Sequence, residues 1–259
     1  MPQFDGSANH KVNGTWVEVD LDALTHNVTE IKRLAGSQTL CAVVKADGYG
    51  HGAVMCTRLF QRLGIDFFAV ASVTEAMELR VAGVDSPILL LGWTPDHRIP
   101  DVIEHRLIPT VFSLEQAKVY AAAAGGMAVV QPIHIKIDTG MNRLGLPPTE
   151  ESLEEVLAIS QLPHIEIQGI FSHLALFFTD DNRFSVQQSQ TFQHFVHQLE
   201  ERGLHIPCKH IANSAGLLDV SSDGYSMVRV GSALFGLNPR AGIPKEKLNI
   251  KPAMTFKTV

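Results

Sequence analysis

At 259 residues, 45% of them hydrophobic, the chain can form one large α/β domain or two small ones and can bury a substantial core. A formal charge of −6 supplies no basic patch for nucleic acid, and three scattered cysteines, Cys41, Cys56 and Cys208, exclude a disulfide scaffold and suit a reducing cytoplasm. No run approaches about 18 apolar residues and residues 1–12 lack an apolar centre, so neither a membrane span nor a signal peptide is expected.

Residues 15–20 alternate apolar and polar side chains as a half-buried strand does. A helix follows through about Leu34, with Gly36 as its stop. Eight short apolar runs come next, at 41–45, 67–71, 88–91, 109–112, 133–138, 165–171, 210–212 and 227–230. Most are nearly continuous, as suits parallel strands buried on both faces. Amphipathic stretches separate them, among them 53–63, a helix with Thr74 as its expected N-cap, and 184–203 ending at Gly203. The alternation predicts an α/β fold, a (β/α)8 barrel. Residues 15–20 and the strand-like tail 251–259 do not fit the barrel count. They read as short strands of a second β domain that the chain does not complete. The expected division is 1–22 for the N-terminal strand segment, 23–245 for the barrel and 246–259 for the start of the second domain.

The run at 41–45 ends in Lys45, and Gly48, Gly50 and Gly52 follow at once. A lysine set among Ala and Val is costly to desolvate as a cation, so burial lowers its pKa and leaves a nucleophilic amine suited to Schiff-base chemistry. The glycines and the following helix start offer amides to a phosphate. Gly48, Gly50 and Ala53 also fit a dinucleotide fingerprint, but that motif wants an acidic residue closing the next strand. Asp66 opens that strand and Glu75 lies beyond it, so the dinucleotide reading is weak.

Active sites of such barrels lie at the C-terminal ends of the strands. Lys45, Lys136 with Asp138 and Arg143, His173, Asn213 with Ser214, and Arg229 before Gly231 all fall there. Each has a structural reading as well. Lys136 can snorkel or pair with Asp138, Arg143 can form a salt bridge, His173 can be a satisfied core histidine, and Asn213 or Ser214 can cap a helix. Twelve histidines are present, but with no H-E-x-x-H and no C-x-x-C pair no metal is expected.

The stretch from Ala42 through Lys45, Tyr49 and His51 to Gly52 resembles the pyridoxal-phosphate lysine motif of the alanine racemases. Residues 136–145, Ser172-His173, 210–216 and 227–231 resemble that family in the same order. The resemblance implies a fold-type III barrel with pyridoxal 5'-phosphate (PLP) as cofactor and a small amino acid, alanine or serine, as substrate. It implies that Lys45 forms the aldimine and serves as one base at the substrate Cα. Tyr49, Asn213, Ser214, Gly231 and Ser232 would hold the cofactor, with its phosphate at Tyr49, Ser214, Gly231 and Ser232. Arg229 would face the pyridine nitrogen with His173 supporting it, and Arg143 would meet the substrate carboxylate. Lys136 matches a lysine that many members carbamylate.

The family is homodimeric and takes its second base from a tyrosine of the second domain. The tyrosines here are Tyr49, Tyr120 and Tyr225, and none matches that position. The expectation is therefore a PLP-dependent alanine racemase barrel that is poorly active alone. A non-catalytic PLP-binding barrel and a serine racemase are the alternatives. Asn142 stands where the family often has glycine, which puts the loop before Arg143 in question.

Overall fold

The computed structural model describes residues 14–175, 181–239 and 243–258. Its elements are β1 (Thr15–Val19), α1 (Leu21–Ala35), β2 (Thr39–Val43), a tight turn α2 (Lys45–Tyr49), α3 (Ala53–Arg62), β3 (Phe67–Val70), α4 (Val73–Val81), β4 (Ile88–Leu90), α5 (Ile99–Glu104), β5 (Ile108–Val111) and α6 (Leu114–Gly126). There follow β6 (Gln131–Lys136), α7 (Glu150–Ser160), β7 (Ile165–Phe171), α8 (Arg183–Glu201), β8 (Cys208–His210), α9 (Gly216–Asp219), β9 (Met227–Val230) and β10 (Met254–Thr258). Each of the eight expected barrel strands is present within a few residues.

They form one parallel sheet in the order β8-β7-β6-β5-β4-β3-β2-β9. The seam is drawn together by Ser226 N–H donating to Lys209 O and Arg229 N–H donating to Ala212 O, both at 3.0 Å. The continuous apolar runs have a direct cause. Along β2, Cys41 and Val43 join a cluster with Ala69, Leu89 and Ile108, whereas Leu40, Ala42 and Val44 pack into the larger core that includes the helices. Both faces are therefore dry. Fully buried Phe60, Phe68, Phe192 and Phe195 fill that larger core, each contributing about 2–3 kcal/mol by area removed from water. Helix starts are set by side chains: Asp20 accepts from the amides of Asp22 and Ala23, and Ser113 and Thr149 cap α6 and α7. The cap of α4 is Ser72 rather than the expected Thr74, because the helix begins at Val73.

The outer layer departs from eight regular βα units. After β8 the helix α9 has only four residues, and β9 is followed by a single 3-10 turn, Ser232–Phe235. The gap is filled from the start of the chain, where α1 packs against that turn, α3 and α9. Asn27 fastens this arrangement from a fully buried position. Its Nδ2 donates to Leu234 O at 3.1 Å and Lys251 O at 2.8 Å, and its Oδ1 accepts from Lys251 N–H at 2.7 Å.

β1 pairs antiparallel with β10, from Thr15 opposite Thr258 to Val19 opposite Met254, apart from the barrel sheet. The two terminal strands set aside from the barrel count thus pair with each other. Residues 1–13 of the expected segment 1–22, and Val259 of the tail, lie outside the described residues. Among the described residues no helix is long and apolar enough to cross a membrane.

Asn27→Ala would leave three backbone groups, one buried and two part-buried, without this partner at about 1 kcal/mol each. The expected loss is about 3 kcal/mol in urea denaturation. A loss below about 1 kcal/mol would show that water replaces the amide.

Candidate active site

Lys45 lies two residues beyond the end of β2, half-buried at the C-terminal mouth of the barrel. The backbone after it is unusual. Ala46, Asp47, Gly48 and Tyr49 all take positive φ, at 51°, 51°, 61° and 56°. A left-handed turn costs L-residues roughly 1–2 kcal/mol each, so its surroundings must impose it. Glu75 does much of this: Oε1 accepts from Ala46 N–H at 2.9 Å and Oε2 from Ala71 N–H at 2.7 Å. Asp47 Oδ1 accepts from Ala53 N–H at 2.7 Å. One amide at the start of α3 is thus taken by the turn itself. The turn aims Tyr49 across the mouth, where a Cβ on Gly231 would stand 2.2 Å from the Tyr49 hydroxyl.

Hydrogen-bonding groups gather on the other side of the mouth. The Ser214 hydroxyl gathers the amides of Gly231 and Ala233 and the Ser232 hydroxyl at 3.3–3.4 Å. The Tyr49 hydroxyl joins this group only because residue 231 has no side chain, since a Cβ there would collide with it. Asn213 lines the same space, but its Oδ1 caps α9 through Ala215 and Gly216 and its Nδ2 donates to Leu174 O.

Arg229, 3% exposed, occupies the floor. Its Nη2 donates to Ser172 O at 2.8 Å, to Ile211 O at 3.3 Å and to His173 Nδ1 at 3.2 Å, while Nη1 donates to His210 Nδ1 at 2.6 Å. Its guanidinium lies 4.9 Å from the centre of the Phe171 ring. Burial pushes its pKa down to about 10, which still leaves it charged at neutral pH. Burial and then this charge hold His173 and His210 well below the ordinary histidine range. Lys136, 5% exposed, donates to Ile137 O at 2.8 Å; burial and Arg229 push its pKa down to about 7. Lys45 is lowered by burial and by Arg143, with Glu75 opposing.

The expected pairing of Lys136 with Asp138 is not a hydrogen-bonded one. Asp138 accepts from the amides of Gly140, Asn142 and Arg143 at 2.9–3.1 Å and so shapes the loop that carries Arg143. Burial alone would raise its pKa, but those donors and Lys136 outweigh it and leave it lowered. Asn142 adopts φ 55°, a left-handed conformation that asparagine tolerates nearly as glycine does.

A cavity of about 660 Å³ collects Lys45, Tyr49, Lys136, Arg143, His173, Asn213, Ser214, Arg229, Gly231 and Ser232, and its size suits a cofactor with a small substrate. Three contributors were not legible as site residues: Glu75, His134 and His210. The last two sit inside strands, and His134 Nδ1 lies 2.9 Å from His210 Nε2. With Cys208 they form a cluster whose ligand atoms are within 4.8 Å of one another. Because His210 Nδ1 accepts from a guanidinium, neutral His210 carries its proton on Nε2 and has no lone pair there for a metal.

Comparison with known proteins agrees with this geometry. The family described as alanine racemase, N-terminal domain, matches residues 19–239. The alanine racemase of Methanococcus maripaludis is 40% identical over 245 residues, covering 94% of this chain and 66% of its own length. That of Clostridium tetani is 41% identical over 243 residues, covering 94% and 63%. The chain thus spans just under two thirds of these relatives. Among solved structures, Clostridium difficile 630 alanine racemase in complex with cycloserine superposes with a TM-score of 0.92 at 37% identity, over 95% of this chain and 68% of that one. Bacillus anthracis alanine racemase with bound L-Ala-P gives 0.87 at 33% identity, over 94% and 63%. The match over residues 19–239 and identities of about 40% along most of the chain place it in the alanine racemase family.

Proposed function

We propose that the protein interconverts L- and D-alanine with pyridoxal 5'-phosphate held covalently at Lys45. The observation that carries this reading is a half-buried amine of lowered pKa facing an anion cradle across a cavity floored by Arg229. The chain's residues fit the cofactor. The Gly231 and Ala233 amides with the Ser214, Ser232 and Tyr49 hydroxyls offer donors to a phosphate. Lys45 offers an amine to the aldehyde, and Arg229 offers a permanently charged donor to the ring nitrogen. When bound, the cofactor supplies the electron sink that makes the Cα–H of an amino acid acidic.

The remaining work falls to side chains of this chain. Arg143, on the loop shaped by Asp138, receives the substrate carboxylate. Arg229 would donate to the ring nitrogen and so disfavour a proton there, which would limit delocalisation into the ring and favour prompt return of the Cα proton. Lys45 Nζ removes and returns that proton on one face, and a pKa below the usual lysine range suits it to both tasks near neutrality. A base is needed on the other face. Tyr49 belongs to the anion cradle, while Tyr120 is fully buried and Tyr225 is bonded to Ser189 Oγ at 2.7 Å, so neither of those two lines the cavity. Among the described residues Lys45 is the base assigned.

Lys136 has a separate chemistry. An amine with a pKa of about 7 is largely neutral in slightly alkaline solution, and its nitrogen lone pair can attack carbon dioxide. A C–N bond then forms and one proton leaves to solvent, giving a carbamate whose charge would hold Arg143.

The 259-residue chain with cofactor and L-alanine in deuterium oxide is expected to place deuterium at Cα of L-alanine at least about tenfold faster than it forms D-alanine, since one base returns the proton to the face it left. Nuclear magnetic resonance and chiral chromatography read the two rates. Equal rates would show a second base within these residues, and no exchange at all would contradict the proposed function.

Lys136 also sets a pH dependence. Between about 7, its folded pKa, and the ordinary lysine value of 10.5, the unfolded chain binds a proton on Lys136 that the folded chain lacks. Stability should therefore rise with pH through that window in carbon-dioxide-free buffer. Lys136→Met is expected to flatten the rise and to stabilise most at its acidic end. An unchanged slope in urea denaturation at several pH values would refute the lowered pKa.

A further inference from the structure

We infer that His134 is a positioning residue for Arg229, acting through His210 along a chain of hydrogen bonds whose direction the guanidinium dictates. The only role open to His210 Nδ1 is acceptor, because Arg229 Nη1 can only donate to it. Neutral His210 then carries its proton on Nε2 and donates it to His134 Nδ1 at 2.9 Å. His134 in turn carries its own proton on Nε2. His173 Nδ1 likewise accepts from Arg229 Nη2 and is protonated on Nε2. Three histidines thus share one tautomer, set by one cation.

The backbone is built around the outermost ring of this chain. β6 and β7 pair regularly up to Ile133 opposite Ile167 and then slip, so that His134 faces Gly169. A Cβ on residue 169 would stand 2.5–2.6 Å from three atoms of the His134 ring. A bulge and a strand glycine are both unfavourable in a sheet interior, and here they coincide at the ring that closes the relay. A histidine serving only as core filler needs no such accommodation, since an aliphatic side chain packs on a regular strand.

The charges facing the pair keep it neutral. Arg229 from β9 and Lys136 from β6 both oppose protonation of His210, and Arg229 opposes that of His134, after burial as the largest cause in each case. Cys208 from β8 sits beside the pair, and burial raises its thiol pKa. A protonated His210 would lose its acceptor and turn Arg229 away from the floor of the cavity. The relay therefore gives the ring-nitrogen site a donor whose place does not change across the physiological range.

The first test needs no activity. In the intact protein labelled with nitrogen-15 histidine and free of cofactor, His134, His173 and His210 should each show a protonated Nε2 and a bare Nδ1, unchanged from about pH 6 to about pH 8. A proton on His210 Nδ1 would overturn the inference. The second test uses variants. His134→Leu removes the acceptor of His210 Nε2–H, His134→Gln restores one through Oε1, and Gly169→Ala displaces the ring. His134→Leu should shift the His210 resonances and lower kcat about tenfold with KM within about twofold, the scale of one lost hydrogen bond to a charged network. The glutamine variant should recover most of kcat, and Gly169→Ala should add little to His134→Leu. If His134→Leu folds and changes neither the His210 resonances nor kcat, the relay has no role. Should that variant not fold, the tautomers of the unsubstituted protein decide. The kinetic arm alone rests on the proposed racemisation, so a protein without that activity would refute the function and leave the tautomer result to judge the relay.

Discussion

A guanidinium sealed into the floor of a barrel governs the electrostatics of this protein. Arg229 is almost fully buried, and the acceptors named for it are neutral: two backbone carbonyls and two histidine nitrogens. A buried cation is tolerated only when its donors are satisfied, and four acceptors do this without cancelling the charge. The uncancelled charge then acts on its neighbours. Burial first, and then this charge, lower Lys136, His134, His173 and His210 from their ordinary values. Such a cavity favours anions and holds two amines of lowered pKa, Lys45 and Lys136. Those are the properties that capture of a phosphorylated aldehyde and of an amino-acid carboxylate requires.

Local strain surrounds the same cavity. Four successive left-handed residues follow Lys45, held by Glu75 and Asp47; a carboxylate-centred loop carries Arg143; a bulge opposite Gly169 accommodates His134. The barrel beneath them is regular, with β2 held between two apolar clusters and the seam closed by backbone bonds and by α1. The energetic separation is spatial: the helices and strands supply stability, and the C-terminal mouth uses it.

The barrel was legible because eight apolar runs of similar length recur with amphipathic stretches between them, and burial on both faces leaves no other reading of such runs. Lys45, Arg143 and Arg229 were legible because charged residues at strand ends are conspicuous. His134 and His210 were not: a histidine within a strand reads as core, and their meeting spans 76 residues and exists only once the barrel closes. Glu75 was hidden for a related reason. Its place after the expected Thr74 N-cap suggests a first-turn carboxylate, whereas its oxygens reach to Ala71 and, across the neighbouring strand, to Ala46. The left-handed turn was unreadable since alanine and aspartate have no strong preference for positive φ. The filling of the last helical gap by α1 was likewise invisible, because Asn27 and Lys251 lie 224 positions apart.

The central claim is that the amine of Lys45 is the group that captures the cofactor. It is tested by mixing the protein with pyridoxal phosphate, reducing with borohydride and locating the adduct by peptide mass spectrometry. The account requires one phosphopyridoxyl group, on Lys45, formed in preference to the other lysines, Lys136 included. A folded protein that is modified elsewhere, or only at exposed lysines in proportion to their accessibility, would contradict it.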